Sequence, residues 1–309
     1  MTEREFYLPS SDPNYKIRCM EWIPDGDVKA VLQITHGMVE HIGRYREFGV
    51  WLAEHGIAVI GHDHLGHGKT VLTKDGFGIF GTEGKMECVV KDIRRVTVYG
   101  KKQYPEQKLF LLGHSMGSFL ARRYMSVYND GPDGFILMGT GAPAEPLVQC
   151  GKILASLMAM VRGETFRSRL LYKMSLGSYN DKFEPVKTAY DWLTRDEELA
   201  NDFEKDELCW FIFTVGAYRE FFRLILTDAR IEKKGEIRKD APTLFISGDK
   251  DPVGDDAKGV RKVYEQYRKA GVAEVSLKLY EEARHEILHE INRQEVFGDL
   301  YNWIEQHCE

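Results

Sequence analysis

The chain has little cysteine, and none of it is clustered. Five cysteines in 309 residues stand far apart, at Cys19, Cys88, Cys150, Cys209 and Cys308. The count is odd and no Cys-x-x-Cys occurs, so neither a disulfide framework nor a thiolate zinc site is expected. A reducing cytoplasm is the compartment that suits this usage. Long apolar runs are missing too, and no stretch approaches the length needed to cross a bilayer. The opening Met1-Thr2-Glu3-Arg4-Glu5-Phe6 lacks the basic stretch and apolar run of a secretory signal. There is no surplus of positive charge: 42 Lys and Arg stand against 48 Asp and Glu, for a formal charge of -6. That balance disfavours nucleic acid or an anionic membrane as the main partner. No repeat or low-complexity tract is visible. A hydrophobic content of 43% with 29% charged residues is that of a globular protein with one large core.

The most informative segment is Leu109 to Ser118. An apolar run leads into Gly113-His114-Ser115-Met116-Gly117, and a helical pattern begins at Phe119. A serine on a sharp strand-to-helix turn has a strained backbone and an exposed hydroxyl, while the flanking glycines allow strand and helix to approach closely. The turn also sets the Met116 N–H at a helix N-terminus, ready for developing negative charge. An acid and a histidine follow in chain order. Pro242 to Gly248 reads as a buried strand followed by Asp249-Lys250-Asp251-Pro252. Val275 to Tyr280 reads as another strand, followed by a loop with Arg284-His285. Serine, acid and histidine, each just past a strand, match the order of an α/β-hydrolase. Asp251 is the expected acid. Asp249, nearer the strand end, is the alternative, and Asp-Lys-Asp-Pro is also good turn chemistry in its own right. An earlier strand, Ala30 to Thr35, ends in His36-Gly37-Met38, where Gly37 could aim the Met38 N–H as a second oxyanion donor.

These pieces resemble the monoacylglycerol lipase and lysophospholipase branch of the α/β-hydrolase superfamily, the group also described as serine aminopeptidase S33-like. The matching segments are His36-Gly37-Met38-Val39-Glu40-His41 with Arg44-Tyr45, Asp63-His64-Leu65-Gly66-His67-Gly68, and Gly113 to Gly117. Gly248 to Gly254 and Arg284-His285-Glu286 complete them. The resemblance spans nearly the whole chain. It implies Ser115, Asp251 and His285 as the triad and Met38 and Met116 as oxyanion donors. It also implies a monoacylglycerol, lysophospholipid or small-ester substrate and no metal or organic cofactor.

Two histidine patterns compete with this reading. His285-Glu286-Ile287-Leu288-His289 matches the zinc-protease motif H-E-x-x-H, with Glu295 or Glu305 as conceivable third ligands. That chemistry needs both histidines on one helix face. His285 instead follows a strand closely, and the apolar pattern of the final helix starts only around Ile287 to Ile291. His62, Asp63, His64 and His67 could form a metal cluster, but the interleaved glycines argue for a tightly turned loop. His36 and His41 are expected to brace the oxyanion loop, and His114 to be structural.

Strand and helix patterns alternate along the chain. Glu5 to Leu8, Lys16 to Ile23 and Ile57 to Asp63 read as strands, as does Phe135 to Met138; Arg44 to Glu54 and Lys85 to Gln103 read as helices. The pattern predicts an α/β-hydrolase fold, a mostly parallel sheet covered on both faces. It breaks after Gly139. Residues 142–238 hold no convincing strand and are expected to form an inserted helical cap between core segments 1–141 and 239–309. Leu147 to Val161 and the aromatic-rich Cys209 to Leu226 are its clearest stretches. Most of these apolar side chains should pack the cap onto the core, and some should line an acyl pocket. Met158 and Met160 could rest the cap on a membrane or micelle. A peptidase or amidase on the same fold, a small-ester carboxylesterase and a non-catalytic binding protein remain as other readings, since one fold hosts many chemistries.

Overall fold

The computed structural model describes every residue except Glu83 and Glu309. Its centre is an eight-stranded sheet. The strands are β1 (Thr2–Pro9), β2 (Lys16–Ile23), β3 (Ala30–Thr35), β4 (Ile57–His62), β5 (Leu109–His114), β6 (Gly134–Met138), β7 (Thr243–Gly248) and β8 (Val275–Tyr280). Their spatial order is β1-β2-β4-β3-β5-β6-β7-β8. The β1/β2 hairpin and the β2/β4 pair are antiparallel; every pair from β4 to β8 is parallel. The expected strands are all present, and β1 is longer than its apolar centre suggests.

Parallel strands buried on both faces are apolar almost throughout, and β3, β4, β5, β6 and β7 have no exposed residue. Alternation decides which face each side chain serves. Leu111, Leu137 and Phe245 pack on one side with α2 (Met86–Gln103), α3 (Met116–Val127) and α8 (Lys258–Ala270). Phe110, Leu112, Ile136 and Ile246 pack on the other with α1 (Arg46–Glu54) and α9 (Arg293–Gln306). Helix α1 starts two residues after its expected Arg44, because Ile42–Tyr45 is a tighter 3-10 turn that His41 caps by accepting the Gly43 N–H. The last helix likewise starts at Arg293, after a 3-10 turn over Ile287–His289.

Between β6 and β7 lie α4 (Glu145–Arg162), α5 (Arg169–Ser175), α6 (Glu197–Lys205) and α7 (Val215–Lys234). Helix α4 is turned opposite to the expectation from its apolar content. Its buried positions are the small Gly151, Ala155 and Ala159 with Val148, and Gly151 meets the Phe222 ring of α7. Leu147, Ile153, Leu157, Met160 and Val161 face solvent, Met160 at 81% exposure. Met158 is only half-buried and packs against the core. No helix among the described residues is long and apolar enough to cross a membrane.

Because β3 to β8 run parallel, their carboxyl ends share one edge. The chain leaves β3 toward β4 on one side and reaches β5 on the other. This reversal of strand order is where open α/β sheets open a crevice, and the loops after β3 and β5 flank it.

Candidate active site

Ser115 stands between β5 and α3 with φ 52° and ψ -119°. A non-glycine residue at positive φ is strained and persists only where its surroundings enforce it. Here they do. The Ser115 N–H donates to Met138 O at 2.9 Å, and its carbonyl accepts from the Ser118 N–H (2.8 Å) and the Ser118 hydroxyl (2.6 Å). A Cβ on Gly117 would lie 2.1 Å from Thr35 O, so only glycine lets α3 start against the end of β3. Met116 is the first residue of α3, and its N–H belongs to the unpaired first turn.

His285 Nδ1 lies 2.9 Å from Asp251 Oδ1. Asp251 is fully buried; the same oxygen accepts the Val253 N–H, and Oδ2 accepts the Ser247 hydroxyl. Asp249 has a different partner: its Oδ1 accepts the Glu282 N–H at 2.8 Å, closing the turn after β8. Of the two candidates, the structure brings Asp251 to the histidine. The β7 end and the histidine loop can touch because residue 248 is glycine; a Cβ there would sit 2.1 Å from Ala283 O. Trp192, from the segment between α5 and α6, stacks on the His285 ring at 5.2 Å between centroids. The neighbouring Glu286 N–H donates to Leu193 O at 2.7 Å. The sequence offers no signal for Trp192, since only tertiary folding brings that segment over β8.

The loop after β3 carries Gly37 and Met38 and turns through Val39 at φ 59°. Glu40 holds it from beneath: its Oε1 accepts the Gly37 N–H (2.5 Å), the Tyr45 hydroxyl (3.0 Å) and His114 Nδ1–H (2.9 Å). Arg44 donates to Glu40 Oε2 and forks onto both Glu286 oxygens at 2.6 Å. Burial alone would raise the Glu40 carboxyl; the His114 hydrogen bond and charge, with Arg44, bring it below the usual range. Burial likewise opposes the Glu286 anion, and Arg44 holds it well below its ordinary value. Burial opposes the His114 cation, but the hydrogen bond and charge of Glu40, with the charge of Glu286, raise it above its ordinary value. Thus His114 is structural as expected, but Glu40, Arg44 and Glu286 form a buried charged lattice that motif reading left without a role.

Four more histidines brace the loop from behind. The His64 backbone N–H donates to His36 Nε2 (3.0 Å), so His36 carries its proton on Nδ1, toward Gly37 O (2.8 Å). His64 Nε2 meets Thr35 Oγ1 and His36 O, and its Nδ1 meets His62 Nε2 at 3.2 Å. Burial and mutual repulsion push His36 and His64 well below their ordinary value; burial takes His62 down to about 3 and His67 to about 4. Asp63 is committed to the Ile42 and Lys69 N–H groups and to Arg18. The four histidines form a buried neutral scaffold, bonded to backbone and to each other except at His62 Nδ1 and His67 Nε2, which have no partner among the described residues. His41, the other expected brace, turns outward: Nδ1 accepts from Gly43 N–H and Nε2 meets Asp206 Oδ2 at 2.7 Å. It ties the loop to the segment before α7. Cys209 Sγ lies close enough to His41 and Asp206 to suggest a three-ligand ion site. The Gly43 bond, however, puts the imidazole proton on Nε2, where a metal would have to bind.

The H-E-x-x-H segment is not a helical metal face. Its first histidine is bonded to Asp251, Glu286 is paired with Arg44, and His289 Nε2 meets Arg44 O at 3.0 Å. The 3-10 turn over Ile287–His289 sends the two histidines to separate partners.

Ser115, His285, Gly37 and Met38 line one cavity of about 920 Å³, roofed by Phe77, Tyr172, Leu176, Trp192, Leu193, Phe203, Trp210, Phe211 and Ile212. Its size and mostly apolar walls suit a small-molecule site.

A strained serine turn, a buried carboxylate–histidine pair and loops gathered at the carboxyl edge of a parallel sheet define the class: an α/β-hydrolase. The chain belongs to the family described as serine aminopeptidase, S33, whose model matches residues 26–292. It is 27% identical to human monoglyceride lipase over 309 residues, covering 97% of this chain and 90% of that one. It is 28% identical to a monoglyceride lipase homolog of Monkeypox virus over 299 residues, covering 94% and 95%. A thermostable carboxyl esterase from Bacillus coagulans, solved in complex with glycerol, superimposes with a TM-score of 0.91 at 25% identity over the full length of both chains.

Proposed function

We propose that the chain hydrolyses carboxylic esters of the monoacylglycerol type through a covalent acyl-enzyme on Ser115. The observation that carries this reading is the buried Asp251–His285 pair bordering the same cavity as the strained Ser115 turn. Ser115 Oγ attacks the ester carbonyl and His285 Nε2 takes its proton. Asp251 fixes the tautomer at Nδ1 and stabilises the imidazolium. The Met38 and Met116 N–H groups donate to the oxyanion. The C–O bond then breaks and His285 protonates the departing alcohol. Water, deprotonated by His285, attacks the acyl-enzyme and releases the acid and free Ser115.

Residues 142–238 act in this reading as a cap whose aromatic lining receives the acyl chain, between core segments 1–141 and 239–309. The solvent-facing apolar side of α4 rests on lipid or micelle surfaces, a proposal that flotation with liposomes tests; protein left wholly in the soluble fraction would refute it. The five free cysteines fit a reducing, cytoplasmic setting. The family's description also favours amide cleavage as a second reading.

The test is a p-nitrophenyl ester series from acetate to palmitate, on wild type and Ser115→Ala. Serine-dependent hydrolysis peaking at medium or long chains is expected. A peak at acetate would indicate a small-ester carboxylesterase. Removing the nucleophile costs about a millionfold in a comparable serine hydrolase, so Ser115→Ala retaining more than about 1% of the rate would overturn the assignment. Peptide amides turned over as fast as esters would move the assignment to a peptidase.

A further inference from the structure

The cavity's charge is opposite to that of the whole chain. Four cations line it: Lys74, Arg167, Arg169 and Lys173. Two exposed carboxylates, Asp75 and Glu207, line it as well. The other acids of the lining, Glu40 and Glu286, are buried and already bonded to His114 and Arg44. The mouth therefore carries more positive than negative charge on a chain whose formal charge is -6.

Three of the four cations are not there to hold the fold. Lys74, Arg169 and Lys173 are exposed, and their side-chain nitrogens have no hydrogen-bond or ion-pair partner among the described residues. They come from separate elements: Lys74 from the 3-10 turn after β4, and Arg169 with Lys173 from α5. Arg169 and Lys173 are four residues apart on one short helix, an arrangement of like charges that weakens an isolated helix. Arg167 adds charge from the same wall, with its guanidinium donating to the Ile212, Asp75 and Phe77 carbonyls. Unpaired like charges gathered at the mouth of an apolar cleft with a low-dielectric wall focus a field on whatever enters.

We infer that the mouth selects a single-chain ester bearing a net anionic group, a phosphate on the alcohol side, over its neutral glycerol counterpart. This rests on the ester-hydrolase reading and adds the headgroup. Phosphate suits the mouth because its several anionic oxygens accept from both Lys and the Arg fork, and both line this cavity.

The test uses water-dispersed monomers, so that adsorption to a charged lipid surface plays no part. Values of kcat/KM are measured for 1-hexanoylglycerol and 1-hexanoylglycerol 3-phosphate below their aggregation concentrations. The ratio of phosphate ester to neutral ester should exceed roughly tenfold at low ionic strength and fall severalfold as salt is raised to a few tenths molar, where exposed charges are screened. The Lys74→Gln/Arg169→Gln/Lys173→Gln variant should lower the ratio toward one and flatten its salt dependence. A wild-type ratio at or below one, or a ratio that neither salt nor the variant moves, would overturn the inference and leave ester hydrolysis standing. Failure of wild type to cleave either substrate would overturn both. If the variant does not fold, the wild-type ratio and its salt response decide.

Discussion

Acid should unfold this protein earlier than its carboxylates alone require, because four histidines are buried neutral. His36, His62, His64 and His67 are fully buried and pushed below their ordinary value, His62 to about 3 and His67 to about 4. Unfolded, each titrates near 6.5. The sign follows: between the two values the unfolded chain binds more protons, so stability is complete above about pH 6.5 and drains as pH falls. From pH 7 to 5 the linkage relation takes about 2 kcal/mol from each of His62 and His67, about 4 kcal/mol together, and His36 and His64 act in the same direction. That is a sizeable part of the stability of a typical domain, about 5–15 kcal/mol. His114 works against it: its folded value is raised, so its contribution is present in acid and lost as pH rises. Glu40 and Glu286, held low, lose theirs only below the ordinary carboxyl value near 4.5. Urea unfolding followed by circular dichroism at pH 7 and 5 measures the difference. His67→Leu is the control. Its Nε2 has no partner among the described residues and its ring lies among Phe80, Phe211 and Phe213, so an apolar residue should be tolerated. The pH effect should shrink by about 2 kcal/mol in this variant. Equal urea midpoints at both pH values would refute the buried-neutral assignment.

Three further outcomes follow from the site. Asp251→Asn should reduce kcat by about 10⁴-fold through the wrong histidine tautomer, whereas Asp249→Asn, which loses only a turn contact, should keep most of the rate; steady-state kinetics separates the two. Arg44→Ala should destabilise by about 3–5 kcal/mol, the cost of leaving a buried anion unpaired, and adding Glu286→Gln should recover part of it in denaturant titrations. Trp192→Ala should lower kcat severalfold, since a stacked aromatic contact contributes about 0.5–1.5 kcal/mol; an unchanged kcat would show that Asp251 orients His285 unaided.

What the sequence discloses and what it hides divides along contact order. The Gly113 to Gly117 turn, the strands and the serine–acid–histidine order are local signals: a few residues with fixed backbone demands, read from period and spacing. Even Gly117 follows from local rules, although the 2.1 Å approach to Thr35 O is visible only in three dimensions. The choice between Asp249 and Asp251 is not local. Both follow the same strand, and what separates them is which one the Ser247 hydroxyl and Val253 N–H turn inward. The orientation of α4 escapes sequence reading for a related reason. Apolar content says that a face will be apolar but not that small residues will take the buried side, as Gly151, Ala155 and Ala159 do against α7.

The residues hardest to foresee connect the insertion to the chemistry. Trp192 lies on the ring of His285, Leu193 O accepts the Glu286 N–H, and Asp206 meets His41 in the loop that carries Gly37 and Met38. Each contact joins the segment between β6 and β7 to one of the two loops the proposed reaction uses. Glu286, anchored by Leu193, is also the carboxylate that Arg44 shares with Glu40, and Glu40 receives the Gly37 N–H. A displacement of residues 192 and 193 therefore reaches the histidine directly and the oxyanion loop through Glu286, Arg44 and Glu40. A segment whose aromatic side chains line the cavity is thereby coupled to the loops that carry His285 and Met38. On the proposed mechanism the insertion belongs to the catalytic apparatus as well as roofing it.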